Sequence, residues 1–427
     1  MYKLLFISTF LVIYVTEIFA QGRVGSPYTR YGIGDIYNTV QSRNKAMGGL
    51  AYALPYQNSI DFVNPASGAN IDSLTFIFDF GFDGGARLFA VKNPETKMLK
   101  SDFNLAHIIV GFPVSKWWKV SSGLIPFSNV GYDIGAIDSV FNVNKTYLFQ
   151  GFGGINKVFL NNGFNIARNL NIGVNLGYNF GKIYQTNGLK FNANDGGLLN
   201  VVEQNSIRIS DFCFESGLGY KFKLNDKSTI LLGAVYGYNN KLNAYKSTLI
   251  YNSLSVGSSV IQDTIYLSED ERGEITLPQK IGFGLGYFFD EKFFIGADFT
   301  MQDWTKSPFF NEIDSSKNNN YLSLGFEYKP AGANKNPLVY SSSIIYRGGL
   351  YLNSNYFRFS GNEYKINDFG ISFGLGLPVK RSKTVFNLSL QIGQRGTLDN
   401  SLIRENYFVL GLSFNLGDTW FVKSRFD

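Results

Sequence analysis

Few residues of this sequence could carry covalent or metal chemistry. His107 is the one histidine and Cys213 the one cysteine among 427 residues. A serine hydrolase needs a base within hydrogen-bond reach of its nucleophile, and His107 would have to be that base. It stands in a strand-like run where Leu105, His107 and Ile109 share one face, which also suits a side chain of a sheet wall or rim. One His and one Cys argue against a zinc or other transition-metal site. We therefore assign no catalytic residue, metal or cofactor. The glycine clusters Gly282, Gly284, Gly286 and Gly151, Gly153, Gly154 sit in period-two runs with no helix to follow, so they fail as phosphate loops. Glycine on one face of a strand instead lets another chain segment or a ligand approach closely.

The N-terminus sets the compartment. Lys3, the apolar run Leu4 to Val15, and Ile18-Phe19-Ala20 before Gln21 have the layout of a secretory signal peptide. We read 1–20 as that signal, 21–70 as an N-terminal segment and 71–427 as the body of the fold. Export makes a nucleic-acid partner implausible, and the net charge of +6 is dispersed. A lone Cys213 forms no intramolecular disulfide.

Composition and period then fix the fold class. Hydrophobic residues make up 44%, yet no stretch after Ala20 nears the roughly 18 apolar residues of a spanning helix. Phe 40, Tyr 26 and Gly 46 favour strands and turns over helices. In 172–180, 369–379, 386–393 and 408–416, apolar residues alternate with Gly, Ser, Asn and Gln. Side chains alternate sides along a strand. A water-facing sheet would carry Lys and Glu on its polar face, and here that face is small and uncharged. Apolar faces toward lipid and small polar faces toward a lumen predict an all-β chain, a transmembrane antiparallel β-barrel of the outer membrane. Fifteen candidate segments fit about fourteen strands, since single-chain barrels have an even number, with one early candidate expected to lie off the wall.

Asn161-Asn162-Gly163, Asn225-Asp226-Lys227, Asp290-Glu291-Lys292 and Lys380 to Lys383 are expected as short turns, and 185–206, 252–273 and 305–319 as long loops at the opposite rim. Asp298 alternates with Phe299, so Asp298, with Arg347, is a candidate lumen charge. Each either braces an inner segment or stands solvated. Trp117, Trp118, Trp304 and Trp420 are candidates for interfacial girdles against membrane lipid. The closing strand with Trp420-Phe421 is the expected signal to the barrel-assembly machinery.

Residues 21–70 do not alternate, and could fold into the lumen as a plug. Here Ala46-Met47-Gly48-Gly49, Ala51 and Asn64-Pro65-Ala66 resemble the FadL-type outer-membrane transporters. Leu277-Pro278, Gly282, Gly284, Tyr287, Asp298 and Trp304, then Tyr346 to Tyr351 and Gly374 to Pro378, extend the likeness. The resemblance implies a fourteen-stranded barrel with an N-terminal hatch, for which Gly48, Gly49, Asn64, Pro65 and Ala66 are candidates. An ordinary turn is the other reading of Asn64-Pro65-Ala66. It also implies passive uptake of hydrophobic small molecules such as long-chain fatty acids, with exit sideways through a kinked strand. The alternative function is a barrel adaptor or plug of a secretion or surface-assembly complex.

Overall fold

The computed structural model describes residues 25–36, 40–54, 59–92, 95–140, 143–191, 198–256, 259–310, 318–332, 334, 339–356, 366–380, 382–399 and 402–420. The expected signal peptide and Phe421 lie outside the described residues. A two-residue strand, β1 (Asp35–Ile36), and one helical turn, α1 (Ser42–Lys45), precede the wall. The wall opens with β2 (Thr75–Val91), β3 (Thr96–Pro113), β4 (Trp118–Val140), β5 (Val143–Ala167), β6 (Leu170–Phe191) and β7 (Asn200–Lys223). Then come β8 (Ser228–Gly237), β9 (Asn240–Val256), β10 (Ser259–Leu277), β11 (Lys280–Phe289) and β12 (Phe293–Asp303). β13 (Asn318–Tyr328), β14 (Ile345–Ser354), β15 (Asn367–Pro378), β16 (Val385–Arg395) and β17 (Arg404–Thr419) complete it.

Every wall pairing is antiparallel, and β17 returns to β2 from Arg404↔Ala90 to Thr419↔Thr75, closing the ring. β8 and β9 both pair with β7 and are two halves of one wall strand; β11 and β10 face them in the same way. The barrel therefore has 14 wall strands. The second break falls at Pro278, which has no N–H to give the ladder.

Parity along the strands separates two solvents. Phe283, Leu285, Phe299, Leu352, Phe373 and Leu410 are exposed on the outside, where lipid is the surrounding medium. The inward positions are small or polar and buried, as with Asn175, Asn179, Ser323, Ser372 and Ser413. Strands β11 to β16 are 10 to 12 residues long, close to the ~9–11 that cross a bilayer. β4 to β7 have 22 to 25 residues and overshoot it. With β9 and β10 they rise as a curved sheet past the rim opposite the short turns.

Several expectations need correction. No early candidate segment is off the wall; the surplus came from the 228–240 and 245–267 region, where one strand is broken and the next begins. Most of 185–206 and 252–273 is strand rather than loop. Asn161-Asn162-Gly163 lies inside β5, and the real turn follows Ala167. The reason is packing: Asn161 Nδ2 donates to the Pro65 carbonyl at 3.2 Å, and Gly163 makes room for Gly68 and Ala69. Trp304 is 5% exposed and stacks on Tyr356 at 4.5 Å, so it is an interior residue. Trp117 and Trp420 are exposed beside the short-turn rim, Trp420 stacked on Phe76 at 4.1 Å and Trp117 near Phe164.

Gly173 gives the clearest test of this packing. A Cβ there would lie 2.1 Å from the Pro65 carbonyl carbon. Gly173→Leu should leave the barrel intact, as judged by heat-modifiable migration, but weaken docking of 64–70 by about 1–3 kcal/mol. Faster proteolysis within the N-terminal segment would report it, and unchanged protection would refute the packing.

Candidate functional site

The lumen holds the described part of the N-terminal segment, Gly25 to Ile71, and the wall presents partners for its polar groups. At its start Ser26 hydrogen-bonds Glu405, and the Tyr28 hydroxyl accepts from Ile403 N at 3.0 Å. Asp35 takes both terminal nitrogens of Arg395, while β1 pairs with Asn129 and Ser128 of β4. In the middle, Gly48 N donates to Ser372 Oγ at 2.7 Å, and Ala51 N and Tyr52 N donate to Asp298 Oδ2 at 2.6 and 2.8 Å. Lys45 pairs with Asp83. Toward its end, Asn64 Nδ2 donates to the Tyr52 carbonyl at 2.7 Å and the Leu218 carbonyl at 3.3 Å, while its Oδ1 accepts from Ala66 N at 3.0 Å.

The sequence explains this path locally. Gly48 and Gly49 have φ of +69° and +90°, a left-handed conformation that L residues avoid, and they reverse the chain after α1. A Cβ on Gly48 would also stand 2.5 Å from the Leu350 carbonyl oxygen. Pro65 opens a short 3-10 turn that Asn64 caps, and Ala66 is buried within it.

Of the two candidate lumen charges, Asp298 holds the segment's backbone directly. Arg347 instead stitches the wall: its Nε donates to Glu327 at 2.7 Å and its Nη1 to Asn387 at 2.9 Å. His107 is fully buried on the inner face, its Nε2 2.8 Å from Asp79 Oδ1. Asp79 also accepts from Gln41 at 2.9 Å and Asn415 at 3.0 Å. A bulge at Ala106 shifts the register from Gly81↔His107 to Phe82↔Leu105, which separates Leu105 from the face of His107. Among the described residues no group of three or more His, Cys, Asp or Glu could hold a metal.

Glu215 bonded to Lys157 at 2.6 Å and Lys280 at 2.8 Å, and Glu405 near Arg87 and Arg395, were missed from sequence. A signal existed for Glu405 and Arg395. Extending the outward phase of Phe408-Leu410-Leu412 and of Leu388-Leu390-Ile392 places both on the inner face.

Among the described residues, three apolar clusters stand in the lumen. One joins Met47, Leu50, Ala53 and Leu54 to Leu231 and Phe294; a second joins Ile60, Phe62 and Ile71 to Ile77, Ile109, Ile125 and Phe159. The largest lies toward the tall side, where Tyr28 and Ile33 meet Tyr132, Ile155, Ile183, Trp304, Tyr356 and Leu402. Among the described residues, three cavities have inward wall residues in their linings. One of about 150 Å³ includes Phe62, Lys157, Asn179, Glu215 and Lys280 in its lining. A second, of about 210 Å³, is bordered by Asp35, Lys45, Asp83, Asp102 and Arg395, and a third, of about 740 Å³ toward the short-turn end, by Arg43, Asp79, Arg347 and Asn387.

The second cavity lies behind a discontinuity in the wall. β3 and β4 pair over six residues only, Ile108↔Leu124 to Pro113↔Lys119. Beyond that, β4 kinks through a bulge between Pro126 and Ser128 and takes β1 as its inner neighbour. The kink therefore opens a lateral gap between β3 and β4 that the N-terminal segment backs.

The BamG family model matches residues 1–427. This chain belongs to the BamG family. No curated protein matches it in sequence. Among solved structures, a Pseudomonas aeruginosa FadL homologue is similar at 12% identity and TM-score 0.60, over 91% of this chain and 100% of that one. The TodX deltaS2S3 mutant, a monoaromatic hydrocarbon channel, gives 15% and 0.61 over 89% and 100%. The CymD monoaromatic hydrocarbon channel gives 12% and 0.56 over 89% and 97%. The likeness establishes the fold: this BamG-family member is an outer-membrane barrel built like FadL-type channels.

Two predictions concern how the segment is held. Asp298→Ala leaves two buried N–H groups unpaired, at about 1–3 kcal/mol each. Asp298→Asn, which keeps an acceptor oxygen, should cost less. Protease protection of 40–54 should rank wild type above Asn above Ala, and equal protection would remove Asp298 as a brace. The second concerns pH. Burial pushes the Asp61 carboxyl up to about 6, against the opposing pull of the Arg43 guanidinium. The docked segment thus binds this proton more tightly than the released one, so docking strengthens as pH falls through about 6 and gains nothing further once pH is below the ordinary carboxylate value. Protection should rise between pH 7.5 and 5, and Asp61→Asn should flatten that rise.

Proposed function

We propose that this barrel works as a closed scaffold, an adaptor within a surface-assembly or secretion complex of the outer membrane. The observation that carries this reading is the occupancy of the lumen. Apolar space toward the tall side is taken by the chain's own Tyr28, Ile33, Trp304 and Tyr356, and the inner cavities among the described residues all have ionic side chains in their linings. An apolar solute placed against those charges would displace their solvation without replacing it, which is unfavourable. The family name points the same way, toward association with the barrel-assembly machinery.

A second reading, passive uptake of hydrophobic molecules such as long-chain fatty acids, is favoured by the β3–β4 gap and by the channel fold. Solute would enter a cavity, displace the N-terminal segment as a hatch and leave sideways into the bilayer. His107 has Asp79 beside it and takes no part in either reading.

Native mass spectrometry of the protein extracted from its own membrane in mild detergent separates the two. The scaffold reading expects a stoichiometric protein partner and a lumen free of apolar ligand. A solitary barrel carrying a reproducible apolar ligand, with fluorescent fatty-acid flux into proteoliposomes above that of protein-free vesicles, would replace it with uptake.

A further inference from the structure

Among the described residues, the tall side of the barrel ends in a strand with one edge unpaired over most of its length. β10 pairs with β9 along its whole length, from Ser259↔Val256 to Leu277↔Asn240. Among the described residues its other edge meets the chain only near the rim, through the bridge Ile275↔Phe309 and the bond from Thr276 N to the Pro308 carbonyl at 3.0 Å. The opposite margin of the same rising sheet, β4, takes β1 at Ser128 and Asn129. From Gln262 to Arg272 every residue but the half-buried Ser268 is exposed, so this stretch stands in water on both faces.

Natural sheets blunt such edges with bulges and charge. β10 carries two bulges, one at Ile265 between Thr264 and Tyr266 and one lower down between Ser268 and Glu271, where Asp270 has a φ of +50°. Above the lower bulge stand three consecutive apolar side chains, Ile265, Tyr266 and Leu267, at 56%, 50% and 58% exposure. Acidic groups surround them. Asp270 faces Arg208 at 3.6 Å and Glu274 faces Lys241 at 3.2 Å, while Asp263, Glu269 and Glu271 have no ion-pair partner among the described residues.

From this edge we infer that Gln262 to Ser268 of β10 forms a docking site for an extended, basic segment of another envelope protein, which adds as a strand. The free ladder supplies main-chain bonds and alternate side chains supply specificity. The acidic flank selects Lys or Arg on the incoming strand. It also disfavours a second copy of this chain, because two β10 edges would bring like charges together. This inference rests on the scaffold reading and names where the partner binds.

The test uses the full-length barrel in detergent and a fluorescein-labelled ten-residue peptide of alternating Lys and Val, followed by anisotropy. A peptide of the same charge with Pro at every second position cannot form a ladder and is the control. Ile265 is the extra residue between Thr264 and Tyr266 and has no β9 partner, so Ile265→Pro should spare the hairpin, as heat-modifiable migration would check. Saturable binding of the Lys–Val peptide is expected, at least tenfold weaker in Ile265→Pro and at least tenfold weaker for the Pro peptide. A triple charge reversal at Asp263, Glu269 and Glu271 should weaken it as much. Equal binding of both peptides, or no effect of Ile265→Pro, overturns the site. So does a concentration-dependent dimer of barrels that Ile265→Pro abolishes, since the occupant is then a second copy. A partner that co-purifies equally well with Ile265→Pro overturns the edge while leaving the scaffold reading in place. Failure to recover any partner removes the scaffold reading itself, whatever the peptide does.

Discussion

Inside a bilayer's hydrocarbon no water is available for an unpaired backbone N–H or C=O, and that constraint organises this molecule. It forces the sheet to close, which the β17–β2 ladder does over the full height of β17. Closure with period-two side chains then puts Phe and Leu in lipid and Gly, Ser and Asn inside. Small inner side chains leave a lumen wide enough for a chain segment, and once such a segment is buried its own polar groups fall under the same constraint. The carboxylate of Asp298 beneath two backbone N–H groups, the Ser372 hydroxyl at Gly48 N and the Asn161 amide at the Pro65 carbonyl all answer it.

What was legible in the sequence was whatever repeats with period two. The strands 369–379, 386–393 and 408–416 and the inward direction of Asp298 come from parity alone. Parity fails where the strand itself is irregular. The bulges at Ala106 and beside Pro126 shift the phase of the residues beyond them, which left the face of His107 ambiguous and the β3–β4 gap invisible. Local composition misled where inner and turn residues share a vocabulary: Asn161 to Gly163 reads as a turn because a wall position against Pro65 and Ala69 needs the same small, amide-bearing residues. Trp304 misled for a related reason. A Trp at a strand end suits the interface, but here the next residues fold inward and carry it onto Tyr356.

The difference in height between the two sides follows from where water begins. On the short side the chain turns back near the bilayer surface, and its connections bend over the mouth, bringing Trp304, Tyr356 and Leu402 onto Tyr28 and Ile33. On the tall side the strands continue into water, and they can do so only because their inner face has that apolar cap to lie against. Ile155, Ile183 and Ile207 are buried there among the inward residues of β5, β6 and β7. β10 stands at the margin of this arrangement. Its lower part is tied to Pro308 and Phe309, and its upper part has no further ladder partner on that edge among the described residues.

Whether such a barrel conducts depends on a comparison of magnitudes. A solute able to enter a cavity of about 210 Å³ buries on the order of 200 Å² of apolar surface, or about 5 kcal/mol. Releasing the segment around that cavity means parting Lys45 from Asp83 and Asp35 from Arg395, and freeing Ala51 N and Tyr52 N from Asp298. Hydrogen bonds to charged groups contribute about 1.5–3 kcal/mol each, so together they match or exceed what the solute brings. A channel would need those contacts to be nearly balanced between docked and released states. A scaffold needs the reverse, a lumen that stays filled while the outer surface is engaged, and the ionic locks on 26–54 supply that rigidity.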